Sequence, residues 1–162
     1  MEFVCLGKIV NTHGIKGEVR ILSQIRYKDR IFVKGMPIYI GRKKVPEVID
    51  GYRVHKNFDM ITMDGYHNIN EVLKYKGQLV YIKRDDLKLE EGEFLDTDLI
   101  GMRVFMDDKE MGVVKKVLIE RQDKLVVDTG KRDVYVPYVK GVIQRIIPGE
   151  GIILENIHGL FD

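Results

Sequence analysis

The sequence predicts an all-β chain folded as two small β domains in tandem, and three observations predict it. Short apolar runs of strand length recur from end to end, closed by Gly, Pro, Asp or Asn. That punctuation belongs to barrels and sandwiches. Only residues 68–77 space their apolar side chains as a helix does, and the acidic stretch 85–92 interrupts the strand pattern. The chain therefore divides into a domain at 1–84, a linker at 85–92 and a domain at 93–162.

In the first domain, strands are expected near 3–10, 18–22, 36–40, 45–54, 60–63 and 78–82. Val4, Leu6, Ile9 and Val10 supply the first apolar run, and Cys5 inside it reads as a buried, inert thiol. Glu18, Val19, Arg20, Ile21 and Leu22 alternate polar and apolar, the mark of a half-buried strand. The helix opens on Asn68 with Glu71 three residues on, the form of a capping box, and Gly77 suits the position past its end. Ile69, Val72, Leu73 and Lys76 give its spacing, and a short helix feeding a last strand would close or plug a small barrel.

The second domain restarts the β pattern. Runs at 99–105, 111–119, 125–127, 134–137, 143–147 and 152–154 are separated by turns at 107–110, 120–123, 129–131 and 148–151. Pro137 at a strand end indicates an edge or an exit, because proline cannot donate to a ladder. This half reads as another small barrel.

Composition excludes several classes. With 44% hydrophobic and 32% charged residues over 162 positions, the chain is neither disordered nor collagen-like and can bury a core. Its apolar runs are too short for a membrane helix, and Met1-Glu2-Phe3-Val4 lacks the form of a secretory signal. A single cysteine precludes an internal disulfide, so a reducing cytoplasm is the expected compartment.

Charge is uneven. Residues 1–84 hold 16 Lys and Arg against 8 Asp and Glu, net +8, whereas 85–92 and 93–162 are each net −3. A basic half suits a polyanion, and an acidic half suits a basic or neutral protein. The same excess also serves solubility.

The basic residues form groups. Lys16 and Arg20 flank the glycine loop 14–17, and Arg26, Lys28 and Arg30 surround Tyr27. Arg42-Lys43-Lys44 occupies a turn, and Arg53, His55 and Lys56 precede Phe58. Basic groups interleaved with Tyr27, Tyr52 and Phe58 fit phosphate contacts with stacking on exposed bases. Equally, 42–44 reads as a polar hairpin tip, and Tyr52 and Phe58 as core. The RNA-binding candidates are His13, Lys16, Arg20, Arg26, Lys28, Arg30 and Arg53. Gly14 and Gly17 are expected to shape the loop, while His13 suits either a loop-holding hydrogen bond or a contact to RNA or a partner.

Catalysis finds no support. Cys5 has no activating neighbour in sequence, and His13, His55, His67 and His158 lack metal-ligand spacing. The Gly14-x-x-Gly17 pair is no phosphate-loop or dinucleotide fingerprint, since no helix start follows it. No enzyme activity, metal or cofactor is expected.

His13-Gly14-Ile15-Lys16-Gly17-Glu18-Val19 resembles the N-terminal signature of the RimM family, the 16S rRNA-processing proteins. Gly65, Asn70-Glu71, Lys76-Gly77 and Gly92-Glu93 follow in family order. Asp98-Leu99-Ile100-Gly101, Met111-Gly112-Val113-Val114, Val136-Pro137-Tyr138-Val139-Lys140 and the ending Gly159-Leu160-Phe161-Asp162 resemble a PRC barrel. The resemblance implies a six-stranded, translation-protein-like N-terminal barrel with one short helix, followed by that PRC barrel. It further implies a non-catalytic chaperone of ribosome biogenesis that assists rRNA processing in the 3′ domain of the small subunit. Its implied partners are the nineteenth small-subunit ribosomal protein and the assembling small subunit with its precursor rRNA. No membrane partner is expected, and the chain would act as a monomer. The resemblance also implies the Tyr-Tyr pair that the family usually carries after Gly-Glu, a pair associated with ribosomal-protein binding. Phe94 and Leu95 stand at those positions, so apolar packing is kept and both hydroxyls are lost. The alternative is a PRC-barrel module that binds protein without a direct RNA role.

Overall fold

The structure, a computed structural model, describes residues 2–162. The chain forms two compact units that part between Glu90 and Glu91. A 3-10 turn, Arg84–Leu87, runs from the first domain into the expected linker and buries Leu87, so residues 85–90 group with the first unit.

In the first unit, β1 (Phe3–His13), β2 (Glu18–Leu22), β3 (Pro37–Ile40), β4 (Val45–His55), β5 (Phe58–Met63) and β6 (Leu79–Lys83) close into a barrel of order β1-β2-β5-β4-β3-β6. Closure leaves no strand edge unpaired. Val4, Leu6, Ile9, Val19, Ile21, Ile38, Ile40, Ile49, Ile61, Val80 and Ile82 are all buried, and alternation along the strands delivers most of them to one side of the sheet. Each fully buried aliphatic contributes about 2 kcal/mol, which is what holds strands this short. Register shifts at Ile9/Asn11, Cys5/Gly7 and Ile49/Gly51 bend the two longest strands, β1 and β4, around the barrel.

One sequence expectation is corrected here. Cys5 is exposed, because period-2 alternation sends Val4 and Leu6 inward and Phe3 and Cys5 outward. The expected short helix is α2 (Ile69–Val72), continued by a 3-10 turn, Leu73–Tyr75. Its capping box forms as expected: Asn68 Oδ1 accepts from the Glu71 N–H at 3.3 Å, and Glu71 Oε1 accepts from the Asn68 N–H at 3.1 Å. One further turn, α1 (Lys28–Ile31), was not readable, since only Ile31 of its four residues is buried and no helical period can show.

The second unit opens with α3 (Asp96–Leu99) and continues through β7 (Arg103–Met106), β8 (Lys109–Leu118), β9 (Lys124–Asp128), β10 (Asp133–Pro137), β11 (Ile143–Ile147) and β12 (Gly151–Leu154). These make a barrel-like six-stranded sheet of order β10-β9-β8-β7-β12-β11. Asp107 and Asp108, both at positive φ, form a tight two-residue turn between β7 and β8. Pro137 ends β10, an outer strand, where its missing N–H costs no ladder bond. β12 pairs parallel to β7, a long-range closure that no local pattern announces. Leu99, Val104, Val114, Leu125, Val127, Val136, Ile152 and Leu154 form this unit's core.

Candidate nucleic-acid interface

The loop 14–17 joins β1 to β2 above the pair His13↔Glu18. Gly14 and Gly17 have φ of +71° and +94°, a region that side chains strain to enter. A Cβ on Gly17 would lie 3.1 Å from the Asn68 carbonyl oxygen, whereas one on Gly14 would meet nothing. The Ile69 N–H donates to the Ile15 carbonyl at 2.9 Å, so the loop is tied to the start of α2. This bracing leaves the tip outward: Ile15 is 80% exposed and Lys16 is exposed beside it.

β2, β5 and β4 set a basic row next to this loop. Arg20, Met60 and Arg53 stand opposite one another across the three strands. An Nη2 of Arg20 lies 2.7 Å from Nδ1 of His13. A guanidinium only donates, so Nδ1 accepts and the ring proton sits on Nε2. The His13 and His55 rings are 5.6 Å apart, and Arg20 Cζ lies 5.7 Å from the centre of the Phe58 ring. Arg20 Nε is buried with no partner.

Arg53 grips Glu18 with two hydrogen bonds of 2.8 Å. That grip holds the Glu18 carboxyl below its ordinary range, against the opposing effect of partial burial. His55 is pushed below its ordinary value, first by burial and then by the nearby positive charges, Arg53 foremost, with Lys56 and Arg20. A phosphate placed there would relieve that repulsion.

The remaining basic candidates are placed differently. Lys28 Nζ donates to Asp59 Oδ2 and to the Ser23 carbonyl, both at 2.7 Å. Asp59 is 3% exposed and also accepts from the Tyr52 hydroxyl at 2.6 Å. Burial and that carboxylate push the Tyr52 hydroxyl upward. Lys28 thus ties α1 to β5. Arg30 lies over the Tyr27 ring at 4.7 Å, and Arg26 also has partners within the protein. The structure brings His13, Arg20 and Arg53 together beside Lys16. His55 and Lys56, noted in the sequence only as part of a basic run, complete the group.

In the second unit, Leu95 is 2% exposed and its N–H donates to Asp98 Oδ2 at 2.9 Å, opening α3. Phe94 is half-buried and packs against the unit's core. Of the two partner-binding candidates, only Phe94 retains appreciable surface.

Among the described residues, no group of three or more His, Cys, Asp or Glu is placed to hold a metal ion. None of their helices is long and apolar enough to cross a membrane.

Comparison with known proteins follows the same outline. Residues 4–87 match the RimM N-terminal domain. The chain is 37% identical over 164 residues to the ribosome maturation factor RimM of Bacillus thuringiensis (strain Al Hakam), with 96% of each chain covered. It is 37% identical over 149 residues to the same factor of Bacillus anthracis, with 87% of each covered. A crystal structure of a 16S ribosomal RNA processing protein RimM from Pseudomonas aeruginosa aligns with 95% of this chain and 97% of its own, at 20% identity and a TM-score of 0.44. By its first domain and by 37% identity to a maturation factor over nearly its full length, the chain belongs to the RimM family.

Proposed function

We propose that this protein is a non-catalytic chaperone of small-subunit assembly, acting in the cytoplasm as a monomer. The observation that carries the reading is 37% identity, over 96% of the chain, to relatives named ribosome maturation factors. The first unit would bind precursor rRNA of the 3′ domain, with Lys16 at the loop tip and His13, Arg20 and Arg53 on the adjoining strands. Support comes from the net +8 of residues 1–84 and from the crowded positive charges around His55. The second unit, net −3 over residues 93–162, would receive a basic partner, the nineteenth small-subunit ribosomal protein.

Deleting the gene tests the reading at the level of the cell. Immature small-subunit rRNA and a shortage of head-region proteins are expected, and normal subunit profiles would overturn it. At the level of the site, Lys16→Ala with Arg20→Ala should weaken rRNA binding and flatten the salt dependence by about one log unit per lost phosphate contact. An unchanged slope would return both residues to ordinary surface charge. Capture of ribosomal protein with no rRNA affinity would favour a purely protein-binding module.

A further inference from the structure

The outer face of β1, β6 and β3 carries a group of side chains that the reading above does not use. Alternation turns Phe3 and Cys5 outward from β1, Tyr81 and Lys83 from β6, and Tyr39 from β3, while Val4, Val80, Ile82, Ile38 and Ile40 fill the barrel behind them. Register aligns Cys5, Tyr81 and Tyr39 in one row, with Phe3 opposite Lys83 in the next. The Phe3 and Tyr39 rings meet edge to face, 5.1 Å between centres and 70° between planes. Lys44 Nζ sits 3.9 Å from the centre of the Tyr81 ring and 5.7 Å from that of Phe3, and Lys83 Nζ lies 5.0 Å from the Tyr39 ring.

We propose that this face is a stacking platform for unpaired RNA nucleotides, separate from the His13–Arg20 surface and resting on the RNA-binding reading of this unit. Every outward position in these two rows is aromatic, cationic or the neutral Cys5; none is acidic. Among the described residues, neither Lys44 nor Lys83 is paired with a carboxylate, and Arg42 and Lys43 precede Lys44 in the same turn. The charge therefore suits an anion and the rings suit a flat, apolar partner. A nucleotide supplies both, with its base on a ring and its phosphate at a lysine. An exposed ammonium–ring contact is weaker than base–ring stacking. Each lysine, on a flexible stem, can yield its ring to a base and take the neighbouring phosphate. Duplex RNA hides its base faces, so the platform selects single strands.

Cys5 makes the test direct, because it is the only cysteine and stands beside Tyr81 in the row. The full chain is alkylated with N-ethylmaleimide, free and with an unstructured oligoadenylate of about ten nucleotides. A duplex of the same length serves as the comparison. The single strand should slow Cys5 alkylation several-fold and the duplex should not. Tyr39→Ala should weaken oligoadenylate binding about tenfold, and Lys44→Asn, which suits the left-handed backbone there, about threefold. Protection is read on the unaltered chain, so it does not depend on how the variants fold. Unprotected Cys5 at saturating oligoadenylate overturns the proposal. If precursor rRNA still binds and depends on Lys16 and Arg20, the earlier reading stands alone. If no RNA binds, both fall. Protection by subunit proteins but not by RNA would assign the face to a protein and overturn the proposal as well.

Discussion

Arg20 donates to Nδ1 of His13 at 2.7 Å, so the basic loop face is held by a hydrogen bond that only a neutral histidine can accept. The two residues lie on adjoining strands of the hairpin that carries the glycine loop. Protonating His13 would replace the acceptor with a donor and set two positive charges against each other.

RNA affinity should be linked to pH. His55 lies below its ordinary value of 6.5, so just under that value the folded chain binds fewer protons than the unfolded one. Stability contributed there rises with pH and is lost as pH falls through this window. Bound phosphate would favour protonation of His55, so affinity for precursor rRNA should rise as pH drops from about 7.5 to about 6. His55→Gln should flatten that dependence. An equal pH response in that variant would remove His55 from the interface.

Replacing Gly17 should cost more than replacing Gly14. Both have positive φ, but only Gly17 faces the Asn68 backbone, at 3.1 Å from where a Cβ would stand. Gly14→Ala is expected to cost about 1 kcal/mol from backbone strain, and Gly17→Ala about 2–3 kcal/mol. Urea unfolding of the two variants measures the difference. Equal midpoints would mean that the loop is not braced against α2.

Lys28 and Lys16 should separate into a strut and a contact. Lys28→Met leaves the Asp59 carboxylate buried with Tyr52 alone, and should destabilise by about 2–3 kcal/mol. Lys16 is exposed, so Lys16→Ala should leave stability unchanged while lowering the salt slope of rRNA binding. A Lys28→Met chain with native stability but a reduced slope would reverse the assignment.

The extent to which this was legible follows from the distance over which each signal acts. The alternation of Glu18 to Leu22 and the Asn68–Glu71 capping box are local, and both formed as the sequence implies. Cys5 was misread because a continuous apolar run hides which side faces the barrel. Arg53 and Glu18 are 35 residues apart, and Lys28 and Asp59 are 31 apart, so only strand register joins them. The row of Cys5, Tyr81 and Tyr39 spans three strands and shares that origin. A period-2 reading of residues 3–5 and 81–83 would have hinted at outward aromatics, but not that they meet.

Phe94 and Leu95 should also part company. Leu95 is 2% exposed at the start of α3, so Leu95→Ala is expected to cost about 2–4 kcal/mol in urea unfolding. Phe94 is half-buried against the second core, and its remaining surface is free of that requirement. Phe94→Ala should cost less stability and weaken binding of the basic ribosomal protein by about tenfold or more, the effect of losing an aromatic anchor. Phe94→Tyr supplies one of the two hydroxyls that the sequence resemblance implies at these positions, and should bind at least as well as the unaltered chain. Calorimetric titration of the three variants decides the matter. If Phe94→Ala binds like the unaltered chain, Phe94 is not part of the proposed docking surface.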